Sequence, residues 1–67
     1  MIYVNIWNVL DEKGKSKYWF IKEMEGGYQS LSKLMDNETI AIRFNTLDKI
    51  CSILDCQPGD ILVRKKD

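Results

Sequence analysis

The sequence has no histidine, only two cysteines, a single proline and no excess charge of either sign. Without histidine the chain lacks the usual general base and the commonest metal ligand. A four-ligand zinc site built on Cys51 and Cys56 alone would have to be completed by carboxylates. A disulfide framework of this length uses more cysteines, placed in loops. These two lie five apart in what reads as a helix and its end, so both are expected as unbonded thiols, with Cys51 buried. No apolar run approaches the ~20 residues of a membrane span. The apolar start, Met1 to Leu10, lacks a basic leader and a small-residue cleavage site, and a cytoplasmic protein is expected. There is also no glycine-rich phosphate loop and no cysteine pair with catalytic spacing. Asp11-Glu12 reads as a solvated helix end. Catalysis, a cofactor, a metal and a small-molecule ligand are therefore not expected.

Ten basic residues are balanced by ten acidic ones. Phosphate neutralisation supplies most non-specific affinity for nucleic acid, so the balance argues mildly against such a partner and leaves the arrangement of charges to decide. The apolar share of 45% and charged share of 30% are ordinary for a folded chain. Sixty-seven residues suit one domain, 1–67, of marginal stability, since a chain this short buries only ~60% of its unfolded surface. The tail Arg64-Lys65-Lys66-Asp67 reads as frayed.

Glycines at 14, 26, 27 and 59 and the proline at 58 cut the chain into short segments. The first runs from about Val4 to Lys13: Ile6, Val9, Leu10 and Lys13 follow helical spacing, Asn5 or Tyr3 opens it, and Gly14 closes it as a left-handed cap. The alternation in Met1–Val4 leaves a short strand open. Ser16 is a suitable N-cap for a second helix, Lys17 to Met24, with Phe20, Ile21 and Met24 inward. A third, Tyr28 to Met35, turns Leu31 and Leu34 inward and Gln29, Ser32 and Lys33 outward. After a loop over 36–44, Asn45 is expected to cap a fourth helix with Asp48 in a weak capping box. Leu47, Ile50, Cys51 and Leu54 form its apolar stripe. Pro58 opens a last short helix leading into Ile61 and Leu62. The expected fold is all-α, a compact bundle of four to five short helices, with a terminal β-ribbon as the one admissible sheet.

Two short helices joined by a glycine-containing turn outline a helix-turn-helix, which alone is a weak signal. The details extend it. Ser16-Lys17-Tyr18-Trp19-Phe20-Ile21-Lys22-Glu23-Met24, Tyr28-Gln29-Ser30-Leu31-Ser32-Lys33-Leu34, Arg43-Phe44-Asn45-Thr46-Leu47 and Pro58-Gly59-Asp60-Ile61-Leu62 together resemble the lambda-repressor-like (Cro-type) helix-turn-helix family, over roughly Asn5 to Leu62. The resemblance implies a five-helix bundle and transcriptional regulation in bacteria or their phages. It implies that the third helix is the recognition helix. Tyr28, Gln29 and Ser30 match positions that meet base edges, and Lys33 matches another one turn later. Gln29 suits adenine, and Lys33 suits guanine or a phosphate. Lys17 matches a phosphate-contacting position at a helix N-terminus. Arg43 matches a loop position near the backbone or minor groove. The expected partners are double-stranded DNA and a second copy of the chain, because one small monomer contacts too few bases for useful specificity.

Lys15, Lys17, Lys33 and Arg43 would gather on the DNA face, with Glu25, Asp36 and Glu38 close by. Tyr28 could instead pack across the second helix. Trp7, Trp19, Tyr3 and Phe20 form an aromatic group that suits core packing or a dimer surface. Three positions depart from the family, which usually has alanine at Ile21, glycine at Glu25 and a branched apolar residue at Gly26. One account lets Ile21 fill the volume that Gly26 vacates, while the glycine role moves one or two residues on; the other is a distorted turn that re-aims the third helix. A protein-interaction module on the same fold, antitoxin-like or antirepressor-like, is the rival function.

Overall fold

A computed structural model describes residues 1–66; Asp67, the last residue of the tail, lies outside the described residues. The chain runs β1 (Ile2–Val4), α1 (Ile6–Glu12), α2 (Lys17–Met24), α3 (Tyr28–Met35), α4 (Phe44–Leu54), α5 (Pro58–Ile61) and β2 (Leu62–Arg64). The five helices agree with the expected bundle, and the short strand left open at Met1–Val4 is formed, as part of a terminal ribbon.

Local chemistry explains most boundaries. The Ser16 hydroxyl accepts from the Trp19 N–H at 3.1 Å and satisfies a donor that α2 cannot pair internally. Gly14 closes α1 at φ +65°, a left-handed conformation that suits glycine. Pro58 occupies the start of α5, and the Asp60 carboxylate accepts from the Gln57 N–H at 2.9 Å. Two boundaries differ from expectation: α1 starts at Ile6, because Val4 is taken into β1, and α4 starts at Phe44. The N-cap of α4 is Arg43, extended at φ −76° and ψ 146°, and Leu47 N–H donates to its carbonyl at 2.9 Å. Asn45 lies inside the first turn, so neither it nor Asp48 caps; the N-cap residue makes no side-chain cap hydrogen bond.

The core is one cluster. Ile6, Val9 and Leu10 of α1 meet Phe20 and Met24 of α2, Leu31, Leu34 and Met35 of α3, Leu47, Ile50 and Leu54 of α4, and Ile61. On α4 the innermost row is Leu47, Ile50 and Leu54, spaced three and four apart. Cys51 falls on its flank and is half-buried rather than buried. Ile21 is likewise half-buried against the core and not inside it. No side-chain polar atom is left buried and unpaired among the described residues.

β1 and β2 pair antiparallel, with Ile2 opposite Arg64, Tyr3 opposite Val63 and Val4 opposite Leu62. The ribbon joins the two ends of the chain. Met1 and Lys65 exchange both backbone hydrogen bonds, at 3.1 and 2.7 Å, so the tail is ordered through Lys65 instead of frayed from Arg64. No helix among the described residues is long and apolar enough to cross a membrane.

Candidate nucleic-acid interface

The turn between α2 and α3 decides where α3 points. Glu25 caps α2 in the left-handed region at φ 56°, its N–H donating to the Lys22 carbonyl. The left-handed conformation therefore stays at residue 25 and does not move to the glycines: Gly27 sits at φ −70° and caps α3, and Gly14 is the only glycine with positive φ among the described residues. The space at Gly26 is taken by Leu31, whose Cδ1 lies 3.2 Å from where a Cβ would stand. That corrects the first account of the altered turn, since the residue filling the vacancy is Leu31 and not Ile21. Turn geometry is kept by a strained glutamate, with a glycine making room for an α3 leucine.

Across this turn, α2 and α3 are tied by Lys17. Its ammonium donates to the Ser32 hydroxyl at 2.8 Å and sits 4.9 Å from the centre of the Tyr28 ring and 5.7 Å from that of Trp7. Such cation–ring contacts stabilise by about 0.5–1 kcal/mol at exposed sites and more when desolvated. Ser32 is half-buried in this contact and does not face outward. Tyr28 stacks on Tyr18 of α2, with ring centres 6.3 Å apart and 27° between planes. Its packing across the second helix is thus realised, yet Tyr28 as a residue remains 48% exposed. Lys17 and the two tyrosines clamp the N-terminal end of α3 to α2.

The other sequence-singled residues stand free of that clamp. Gln29 and Ser30 are exposed in the first turn of α3, and Lys33 is exposed one turn later. Arg43 is exposed at the start of α4 and, with Ser30, lines a groove of about 500 Å³ between the turn, α3 and α4. Lys49 of α4 lines the same groove and was not foreseen. Its position on the outer side of an amphipathic helix was visible, but its approach to α3 was not. Lys49 faces Glu25 at 4.0 Å, with both side chains well exposed. Asp36 accepts from the Trp7 indole N–H at 3.1 Å. Two of the three troublesome acids thus have partners. Trp7 leans on Lys17 and Trp19 on Lys15, while Phe20 is buried, so the four aromatics do not form one group.

An exposed polar first turn, a cation one turn on and further cations on the flanking helix form a surface able to hydrogen-bond base edges and neutralise phosphates. Residues 5–67 match the family described as the Cro/C1-type HTH DNA-binding domain. The chain belongs to that family. Within it, the chain is 40% identical to the "Uncharacterized HTH-type transcriptional regulator YozG" of Bacillus subtilis (strain 168), over 98% of this chain and 79% of that protein. Its fold matches the crystal structure of a "putative DNA-binding protein" from Bacteroides fragilis. The TM-score is 0.81, covering 94% of this chain and all of that one at 22% identity. The matched span takes in all five helices, α2, α3 and the turn between them included.

Proposed function

We propose that this chain is a sequence-specific transcriptional regulator of bacterial or phage type, binding double-stranded DNA as a homodimer with α3 in the major groove. The observation that carries the reading is the exposed polar first turn of α3, held at a set angle by Lys17, Tyr18 and Tyr28. A base-reading helix must keep its angle, because a bidentate contact to adenine or guanine is lost when the side chain is misaimed. Gln29 is assigned to an adenine edge, with Ser30 and Tyr28 beside it. Lys33 reaches a guanine or the adjacent phosphate. Arg43 holds the backbone from the N-terminus of α4, where the helix's positive end assists. Lys17 acts first as the clamp under α3 and offers its remaining donors to a phosphate.

The test is selection of a DNA pool by the full chain, followed by titration of variants across salt. Gln29→Ala is expected to cost about 1–3 kcal/mol on the selected site and to relax preference at one base pair. Arg43→Ala is expected to weaken specific and random DNA alike and to reduce the salt slope by about one unit. The balanced charge of the chain favours the rival, a protein-interaction module. That reading predicts no affinity for any pool, even at low salt, and helix 3 variants that act only on a protein partner.

A further inference from the structure

The two edges of the terminal ribbon are built differently. In an antiparallel pair, residues alternate between exchanging backbone hydrogen bonds with the facing strand and turning their N–H and C=O outward. Met1 exchanges bonds with Lys65, and Asn5 N–H donates to Ile61 at 2.7 Å. In the register that pairs Ile2 with Arg64, Ile2 and Val4 therefore turn their backbone groups to the outer edge of β1. At Val4 both groups are taken by Asn37: the side-chain carbonyl accepts from Val4 N–H, and the side-chain amide donates to Val4 C=O at 3.1 Å. At Ile2 the outward N–H and C=O have no partner among the described residues.

We propose that this edge is the dimer interface, with Ile2 of one copy pairing antiparallel with Ile2 of a second copy across a two-fold axis. Three observations select a second copy. Register is the first. Pairing Ile2 with Val4 of a partner, or Val4 with Val4, is blocked by Asn37, whereas Ile2 with Ile2 needs only the open groups and is its own complement, as a two-fold contact requires. Charge is the second. Exposed edge strands are commonly protected by charges, proline or bulges; Ile2-Tyr3-Val4 has none, while the other strand continues into Arg64-Lys65-Lys66. In the proposed four-stranded sheet the two basic strands lie outermost, about 14 Å apart at ~4.8 Å per strand spacing, beyond the ~8 Å screening length of physiological salt. Exposed apolar surface is the third. Ile2 is 69% exposed, and Ile40, which lines a second groove together with Ile2, Val4 and Asn37, is fully exposed. Both would be covered by the partner.

The assignment rests on the homodimeric reading of the function, but its test needs no DNA. Two hydrogen bonds and four isoleucines make a small interface, so free dimers should form with a Kd on the order of 10–100 µM. Sedimentation equilibrium of the full chain without DNA should show this. Ile2→Lys and Ile40→Glu should each raise the Kd at least tenfold with the circular dichroism of the wild type. Ile40→Glu alters only an exposed loop and carries the test should Ile2→Lys disturb the ribbon. Ile2→Cys should form an interchain disulfide with oxidised glutathione, since paired Cα atoms ~5.5 Å apart fall within disulfide range; Arg64→Cys on the opposite edge should not. A chain monomeric to about 1 mM, a dimer indifferent to Ile40→Glu, or equal cross-linking from both edges overturns the proposal. Those outcomes leave DNA binding standing. A dimer of this kind with no DNA affinity would remove the function and keep the interface.

Discussion

Replacing Glu25 by glycine tests how the helix-turn-helix turn is held. A non-glycine residue in the left-handed region costs roughly 1–2 kcal/mol, and Glu25 adopts φ 56° there. Glycine removes that cost but adds about 0.4–1 kcal/mol of unfolded-chain entropy. It also removes the contact with Lys49, which at 4.0 Å between exposed groups is worth at most about 0.5 kcal/mol. The net expectation is a gain of about 0.5 kcal/mol, or a rise of ~2–4 °C in Tm for a chain this short. Glu25→Ala is the control. It keeps the strain and loses the ion pair, so it should fall at or below the wild type, and glycine should exceed alanine by about 0.5–1 kcal/mol. Urea unfolding monitored at 222 nm measures both. If alanine equals or exceeds glycine, the left-handed conformation at residue 25 is wrong and α3 does not leave the turn as described. Glycine also removes an anion beside the groove that Arg43 lines, so affinity for random DNA should rise and not fall.

The other stability predictions follow from packing and titration. Leu31→Ala should cost about 2–5 kcal/mol, because a buried leucine that also fills the space over Gly26 is lost. Ile21→Ala should cost clearly less, about 1 kcal/mol, since Ile21 only flanks the core; equal losses measured by urea unfolding would refute the assignment. Burial pushes the Cys56 thiol up from its ordinary 9.0 to about 11, and the Cys51 sulfur and then the Asp60 carboxylate add to the rise. A thiol that holds its proton more tightly when folded contributes stability that is complete below pH 9 and lost as pH rises toward 11. The urea midpoint of the wild type should therefore fall more between pH 9 and 11 than that of Cys56→Ala. Parallel curves would refute the shift.

What was legible in the sequence is what depends on neighbours along the chain. The spacing of Leu47, Ile50 and Leu54, the Ser16 hydroxyl ahead of α2, Gly14 after α1 and Pro58 at the start of α5 each act within a turn or two of backbone, so they determined the helices and most boundaries. The exposed row of Gln29 and Lys33 followed from the same periodicity. The α4 cap differs from the one expected because Asn45 has the better local chemistry, yet the helix begins two residues earlier with Arg43 extended and no side-chain cap. Tertiary structure alone decided that Leu31 covers Gly26, that Lys17 ties α2 to Ser32 and Tyr28, and that Asn37 occupies Val4 and leaves Ile2 open. These partners lie between 5 and 33 residues apart in the chain. Side-chain periodicity says which face a residue takes, but the groups facing it come from whichever element the fold packs there. The strand potential of Met1–Val4 was realised only because β2 returns to it from the far end of the chain, and a strand has no internal hydrogen bonds with which to exist alone.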